Sequence, residues 1–172
     1  MIMDEAISVA EIVVLMPSLR SYALALTQSD HKADDLVQDT MERAWRNRSR
    51  FVAGESAKAW LCTIMRNRFI DGVRADKWTV EDVDGQSAAK QSSNPSQQWR
   101  LHYSDLLRAI DLLSPSTGEV VALCWFGGLT HQDAAKVLDW PLGTVKARIR
   151  RAKEALTQTL DLSFMQASDY QG

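Results

Sequence analysis

The sequence predicts an all-α protein that consists of two small helical domains joined by a flexible linker. Apolar residues recur at helical spacing in four segments, 33–47, 56–77, 99–113 and 115–127, and strand-like alternation offers no serious alternative. Residues 79–98 interrupt this pattern, because they are rich in Ser, Gln, Asp and Glu and their largest aliphatic side chains are two valines. Such a stretch cannot bury enough apolar surface to offset the entropy lost on ordering, so we expect a linker there.

Composition indicates a soluble globular chain. The 172 residues are 45% hydrophobic and 24% charged, which is enough apolar content for a sizeable core. The longest near-apolar stretch, 120–129, has about half of the 20 residues that cross a bilayer, and the N-terminus lacks the cationic segment of a secretory signal. Cys62 and Cys124 lie in apolar helical contexts and are expected to be buried thiols. We therefore expect a cytoplasmic protein without a membrane segment.

The linker divides the chain into a first domain at 1–78 and a second domain at 99–172. In the first domain, the helices predicted at 33–47 and 56–77 each carry one apolar face. The residues expected to be buried on these faces are Leu36, Val37, Met41, Ala44, Trp45, Leu61, Ile64, Met65, Phe69 and Val73. Ser56 is placed to cap the second of these helices.

The second domain is predicted to begin with the helix at 99–113, and a second helix follows at once. Ser114 and Pro115 are typical of an N-cap and a first helical position, and the pair Gly127 and Gly128 is typical of a helix end. This domain is therefore predicted to be helical as well.

Residues 130–156 carry the pattern of two short helices separated by a tight turn. Thr130, followed three positions later by Asp133, resembles a capping box, and Pro141 must end the first helix. After Gly143 a second helix carries one apolar stripe at spacings of four, three and four. The stripe consists of Val145, Ile149, Ala152 and Leu156. Together the two helices predict a helix-turn-helix.

The face opposite this stripe is cationic, although the whole chain has a formal net charge of −2. Its cations and those flanking it are Lys146, Arg148, Arg150, Arg151 and Lys153. A recognition helix in the major groove lies between two phosphate backbones, so its exposed face must be cationic. Arginines there can also pair with guanine edges. The pattern favours DNA binding over its alternative, an ordinary solvated face.

The stretch LTHQDAAKVLDWPLGTVKARIRRAKEAL closely resembles region 4.2 of the extracytoplasmic-function (ECF) sigma factors. The stretches ADDLVQDTMERAW and FVAGESAKAWLCTIMRNRFID resemble region 2 of the same family, and the whole resemblance spans about 15–160. It implies a non-catalytic bacterial protein, without cofactor or metal ion, that binds core RNA polymerase. Such a protein directs the polymerase to the −35 and −10 elements of promoter DNA and helps to open the duplex.

The resemblance implies a polymerase-binding face on the helix at 33–47. Its residues are Asp35, Gln38, Asp39 and Glu42. In the family, this face docks on the clamp helices of the largest polymerase subunit, while region 4 meets the flap of the second-largest subunit. The alternative is a solvated face whose early acids favour the helix dipole.

The family holds a base flipped out of the −10 element at the loop that corresponds to 51–56 and at the start of the next helix. Such a base needs an aromatic or apolar wall and a polar group that contacts its edge. The matching residues are Phe51, Ser56, Lys58, Arg66 and Asn67. The alternative for Phe51 is a core aromatic, and Trp60 is expected to pack rather than to touch DNA.

The family's −35 contacts fall on the cationic helix. The matching residues are Thr144, Lys146, Ala147, Arg148, Arg150 and Arg151, with Arg148 expected at a phosphate. Ala147 replaces a frequent serine, the segment Asp133–Ala135 replaces Glu-Ile-Ala, and Trp140 is unusual in the turn. These departures leave the base preference open.

The stretches LRSYALALTQSDHKADDLVQDT and YSDLLRAI are most similar to the general-stress-response (EcfG-like) subgroup of the family. This similarity implies control by a small NepR-like anti-sigma factor, held against or between the two domains. A flexible linker would let the domains clamp the inhibitor or open along a promoter.

Three other functions are weighed against a sigma factor. A sigma-like decoy would sequester an anti-sigma factor without touching DNA, and would not need the clean cationic face. An ordinary helix-turn-helix regulator would not explain the region 2 block. An enzyme is the least favoured, because His31, His102 and His131 are scattered and lack zinc-ligand spacing.

Overall fold

The computed structural model of the chain describes residues 7–52, 54–79, 110 and 113–168. All regular secondary structure within these ranges is helical, which confirms the predicted all-α class. The α-helices are α1 (Val9–Thr27), α2 (Asp30–Arg46), α3 (Ala57–Thr79), α4 (Pro115–Val121), α5 (His131–Leu138) and α6 (Leu142–Ser168). A 3₁₀ turn (Arg48–Arg50) follows α2, and a π-helical turn (Ala122–Phe126) continues α4. Almost all of the predicted linker and most of the predicted helix at 99–113 lie outside the described residues.

The first domain packs α1, α2 and α3 around one core. Leu19 and Tyr22 of α1 and Leu61 and Met65 of α3 are completely buried there. The hydroxyl of Ser56 accepts a hydrogen bond from the backbone N–H of Ala59 at 3.2 Å, so this residue caps α3 as predicted.

Two residues expected in this core are not buried, so the prediction is wrong for them. Trp45 is 52% exposed at the end of α2, where the guanidinium of Arg48 lies 4.6 Å from its ring centroid. Val73 is 38% exposed, because the fully buried side chains of α3, within its part up to residue 75, all lie in the first half of the helix. Helical spacing shows which side of a helix is apolar, but not how far along that side a neighbour extends.

Helix α1 was not assigned from the sequence, yet it begins at a complete capping box. The hydroxyl of Ser8 accepts from the N–H of Glu11 at 3.1 Å, and the carboxylate of Glu11 accepts from the N–H of Ser8 at 2.9 Å. Almost all of α1 is long and apolar enough to cross a membrane, a test that core helices of soluble proteins also pass. Here Arg20, on α1, pairs with Asp30 and Asp34 of α2 at 2.8 and 2.7 Å.

The second domain is built from α4, its π-helical turn, α5 and α6. Pro115 occupies the first position of α4, as predicted, and the π-helical turn ends at Gly127, whose N–H donates to the Ala122 carbonyl. A Cβ atom on Gly127 would lie 2.6 Å from the carbonyl oxygen of Leu123, so only glycine fits there. The predicted apolar stripe of α6 is buried throughout, at Val145, Ile149, Ala152 and Leu156.

The two domains pack directly against each other. Helix α1 contacts the π-helical turn, and α3 contacts α5. The Nε atom of Arg66 lies 2.5 Å from a carboxylate oxygen of Glu119, and the two side chains are only 24% and 25% exposed. The Nζ atom of Lys58 lies 3.4 Å from the carbonyl oxygen of Gly128. We refer to this arrangement as the closed state, and to the contacts of Arg66 and Lys58 as the interdomain latch.

Burial also decides the chemistry of the two free cysteines. It raises the pKa of Cys62 to about 12 and that of Cys124, which is half-buried, to about 11. Since the thiolate is the nucleophile, we expect both thiols of the native protein to react with a disulfide reagent at pH 8 more than about 100-fold slower than free cysteine, Cys62 being the slower. Stopped-flow thiol titration checks this. Full reactivity in guanidinium is the control, and a native thiol as fast as free cysteine would contradict it.

Candidate functional site

The turn between α5 and α6 fixes the start of the cationic helix. Asp139 ends α5 in the left-handed conformation, with φ of 55°, and its N–H donates to carbonyls of the last turn. The N–H groups of Thr144 and Val145 then donate to the carbonyl of Pro141, which starts α6. The predicted helix-turn-helix is therefore present, with short-range hydrogen bonds on both sides of the turn.

The cationic face of α6 lies opposite its buried stripe and is open to solvent. Lys146, Arg150 and Arg151 are exposed, while Thr144 and Ala147 are partly covered. An exposed pair of Arg150 with Glu154, at 3.7 Å, holds that arginine only weakly. A cationic, exposed helix face of this kind fits the phosphates and base edges of a DNA major groove.

Arg148 is placed differently from the other predicted −35 residues. It is half-buried, its Nη1 donates to the hydroxyl of Ser116 on α4 at 2.5 Å, and its guanidinium lies 4.9 Å from the ring centroid of Trp140. The sequence identified Trp140 as unusual. It gave no indication of Ser116, which lies 32 positions before Arg148.

The predicted −10 residues lie on the first half of α3 and on the segment just before it. The ring of Phe51 is half-buried, with its centroid 5.5 Å from that of Trp60 at an interplanar angle of 60°. Trp60 is also half-buried, in agreement with the expectation that it packs. Asn67 is exposed one turn beyond Thr63 on α3. Phe51 and Trp60 therefore offer an aromatic wall before and at the start of α3, and Asn67 offers an exposed amide further along the same helix.

The two cations of the predicted −10 set are Lys58 and Arg66, and both are engaged in the interdomain latch. Glu119, the partner of Arg66, belongs to the second domain and was not predicted to have any role. No local signal could have revealed it, because the two residues are 53 positions apart.

The predicted polymerase-binding residues share the outer face of α2. Asp35, Gln38 and Glu42 are exposed, and among the described residues the acids pair only at i,i+4, with His31 at 2.9 Å and Arg46 at 3.5 Å. Such pairs constrain a carboxylate weakly, so these side chains are available to a basic partner. Asp39 is different, because it is half-buried and accepts from Arg68 of α3 at 2.7 Å. Its carboxylate therefore helps to join α2 to α3.

Two family models match separate parts of the chain. The family model Sigma-70 region 2 matches residues 13–79, and the model Sigma-70, region 4 matches residues 103–156. These matches contain the α2 acidic face and the α6 cationic face, respectively.

Individual relatives give the same result. The chain is 37% identical to the ECF RNA polymerase sigma factor EcfG of Rhodopseudomonas palustris over 150 residues, which cover 87% of this chain and 83% of the relative. It is 30% identical to the ECF RNA polymerase sigma factor RpoE of Cereibacter sphaeroides, over 83% of this chain and 80% of that one.

A solved structure supports the relationship in three dimensions. The sigma factor RpoE of Bartonella quintana, determined in complex with the anti-sigma factor NepR, matches with a TM-score of 0.76 and 35% sequence identity, covering 88% of this chain and 95% of that one. Sequence and fold thus confirm the predicted family: the chain belongs to the ECF RNA polymerase sigma factors.

Proposed function

We propose that this chain performs its work as an ECF sigma factor through three separate surfaces. The exposed acids of α2 bind core RNA polymerase, the region around Phe51 and Asn67 holds the −10 element, and the cationic face of α6 binds the −35 element. The observation that carries this proposal is the exposure of Lys146, Arg150 and Arg151 on one face of α6. A cationic face whose one ion pair among the described residues is the weak, exposed pair of Arg150 with Glu154 is suited to DNA phosphates.

The acidic face of α2 supports the assignment of polymerase binding. Asp35 and Glu42 lie on the same side of α2 and are held only by weak pairs within the helix. A basic surface on the polymerase could replace these pairs with stronger intermolecular ones at little conformational cost. Because α2 is acidic and α6 is cationic, α2 attracts a basic surface of the polymerase whereas α6 attracts DNA.

Promoter binding requires the closed state to open. The −35 and −10 elements lie a helical turn of DNA or more apart, over about 34 Å, so the two domains must separate to reach both. Lys58 and Arg66 would then exchange the interdomain latch for phosphates of the −10 element. The closed state thus corresponds to a chain that is not engaged with a promoter.

We further propose that a small anti-sigma factor of the NepR type controls the chain, in the cytoplasm and for stress-response genes. The Bartonella quintana relative was solved with such a partner. In this chain, an apolar groove of about 440 Å³ runs between α1 and the start of α3, lined by Val14, Leu15 and Ala57. Val13 and Met16 of α1 are exposed as well. An amphipathic inhibitor helix could cover this surface.

A change at the groove separates inhibition from transcription. Val14 is 78% exposed, so Val14→Asp should leave the fold intact. A charge in an apolar interface should weaken the inhibitor about tenfold or more, since a buried valine contributes roughly 1.5 kcal/mol. Titrating a NepR-type inhibitor into a transcription reaction measures this. Equal inhibition of both proteins would contradict the placement of the inhibitor, and uninhibited transcription is the control.

We propose a non-catalytic role because of the family, and the cationic face of α6 favours a sigma factor over a decoy. A decoy would bind an anti-sigma factor and would gain nothing from the cationic face of α6. The deciding experiment is run-off transcription with purified core polymerase on a promoter with −35 and −10 elements of the general-stress type. We expect transcripts only when the chain is present. A chain that binds an anti-sigma factor but neither binds core polymerase nor supports transcription would instead be a decoy.

A further inference from the structure

The structure sets Arg148 apart from the other cations of α6. Lys146, Arg150, Arg151 and Lys153 are exposed, whereas Arg148 is half-buried and its Nε atom is shielded from solvent. Its Nη1 donates to the hydroxyl of Ser116 at 2.5 Å, and its guanidinium stacks on Trp140 at 4.9 Å from the ring centroid. Arg148, which was expected to contact a phosphate, thus already has partners within the second domain.

These three side chains come from three different elements. Ser116 lies in the first turn of α4, Trp140 lies in the turn between α5 and α6, and Arg148 lies in the second turn of α6. The buried stripe holds α6 against the domain but does not fix the rotation of the helix about its axis, because apolar burial is not directional. A guanidinium is planar and donates in fixed directions, so it can define the rotation of the helix that carries it.

We infer that Arg148, Trp140 and Ser116 form a clasp that fixes the orientation in which α6 presents its cationic face, and that Arg148 is a positioning residue rather than a phosphate contact. This inference rests on the proposed −35 function of α6. Base-edge hydrogen bonds require donors held to within about 0.5 Å, which a helix free to roll on an apolar stripe does not achieve. Trp140, the aromatic residue that is unusual in this turn, thereby has the role of holding Arg148 in place.

Trp140 also has the surroundings that a rigid platform needs. It is half-buried against the apolar core of the domain, and its backbone N–H donates to the carbonyl of Ala135 at 2.9 Å. The backbone of Trp140 is therefore held to α5 while the face of its ring meets Arg148. For Arg148 to reach a phosphate, it would have to leave both the ring and the hydroxyl of Ser116.

The test uses Arg148→Lys in the full chain, assembled with core polymerase and bound to a promoter fragment over a range of salt concentrations. Lysine keeps the positive charge but loses the planar fork, so it would preserve a phosphate contact and break a clasp. We expect about tenfold weaker promoter binding, with an unchanged slope of log affinity against log salt. Trp140→Ala should have the same effect, and Trp140→Phe, which keeps an aromatic face, should largely restore binding.

Arg151→Gln is the matched control, because it removes an exposed cation of the same helix. It should reduce the salt slope by about 0.9, as expected when one phosphate contact is lost. The clasp is overturned if Arg148→Lys binds like the wild type, or if Arg148→Gln reduces the slope by the same amount as Arg151→Gln. Circular dichroism at the assay temperature identifies any unfolded variant. If the Arg148 variants are unfolded, Ser116→Ala tests the clasp instead, and we expect it to weaken promoter binding severalfold.

Failure of the clasp can be distinguished from failure of the proposed function. If the wild-type holoenzyme shows no dependence on the −35 element, the function of α6 is wrong and the clasp falls with it. If the wild type depends on the element while the Arg148 and Trp140 variants match it, only the clasp is wrong.

Discussion

Replacing Arg150 and Arg151 together with glutamine should reduce −35-dependent transcription by about 100-fold or more while leaving the affinity for core polymerase unchanged. Both side chains are exposed on α6, and the only ion pair between them and the described residues is the weak one with Glu154. A bidentate contact between Arg150 and guanine contributes about 1–3 kcal/mol, and the loss of the phosphate contact of Arg151 adds to this, which together account for an effect of this size. Run-off transcription and a separate core-binding titration measure the two quantities.

The matched control removes charge from the other surface. Asp35→Asn with Glu42→Gln takes two exposed carboxylates from α2, and it should weaken core binding while leaving the α6 face unaltered. Asp39 is a poorer choice than the sequence suggests, because its loss would also leave the half-buried Arg68 without its partner. If the two double variants lost core binding and −35 dependence alike, the assignment of separate surfaces would be contradicted.

The helix-turn-helix could be predicted because its determinants are local. Thr130 accepts from the N–H of Asp133 at 3.1 Å, Pro141 separates α5 from α6, and the apolar stripe beginning at Val145 is buried. Each of these features depends on residues within a few positions of one another. The capping box of Ser8 and Glu11 is equally local and was readable in principle.

Features that depend on distant parts of the chain could not be predicted. Trp45 and Val73 are exposed because of where the neighbouring helices end, and the spacing of apolar residues does not reveal this. The same holds for Arg148, for which the family resemblance implied a phosphate partner. Its hydrogen bond to Ser116 exists only because α4 packs against α6.

The closed state is the largest feature that the sequence left undetermined. Two joined domains can take many arrangements, and the contact between Arg66 and Glu119 favours one of them. Because both groups are about three-quarters buried, removing one charge leaves the other poorly solvated. Partial exposure reduces the penalty, and we estimate about 1–3 kcal/mol in favour of opening.

Glu119→Gln should therefore open the free chain and increase its affinity for single-stranded −10 DNA about tenfold, since Arg66 is released from its partner. Small-angle scattering measures the opening as a larger radius of gyration, and fluorescence anisotropy measures the affinity. Glu154→Gln is the matched control, because it removes the same charge from an exposed site outside the interdomain latch. The charge exchange Arg66→Glu with Glu119→Arg should restore the compact form without restoring −10 binding, since the cation is then on the other domain. If Glu119→Gln and Glu154→Gln gave the same radius and affinity, the ion pair would not be what holds the two domains together.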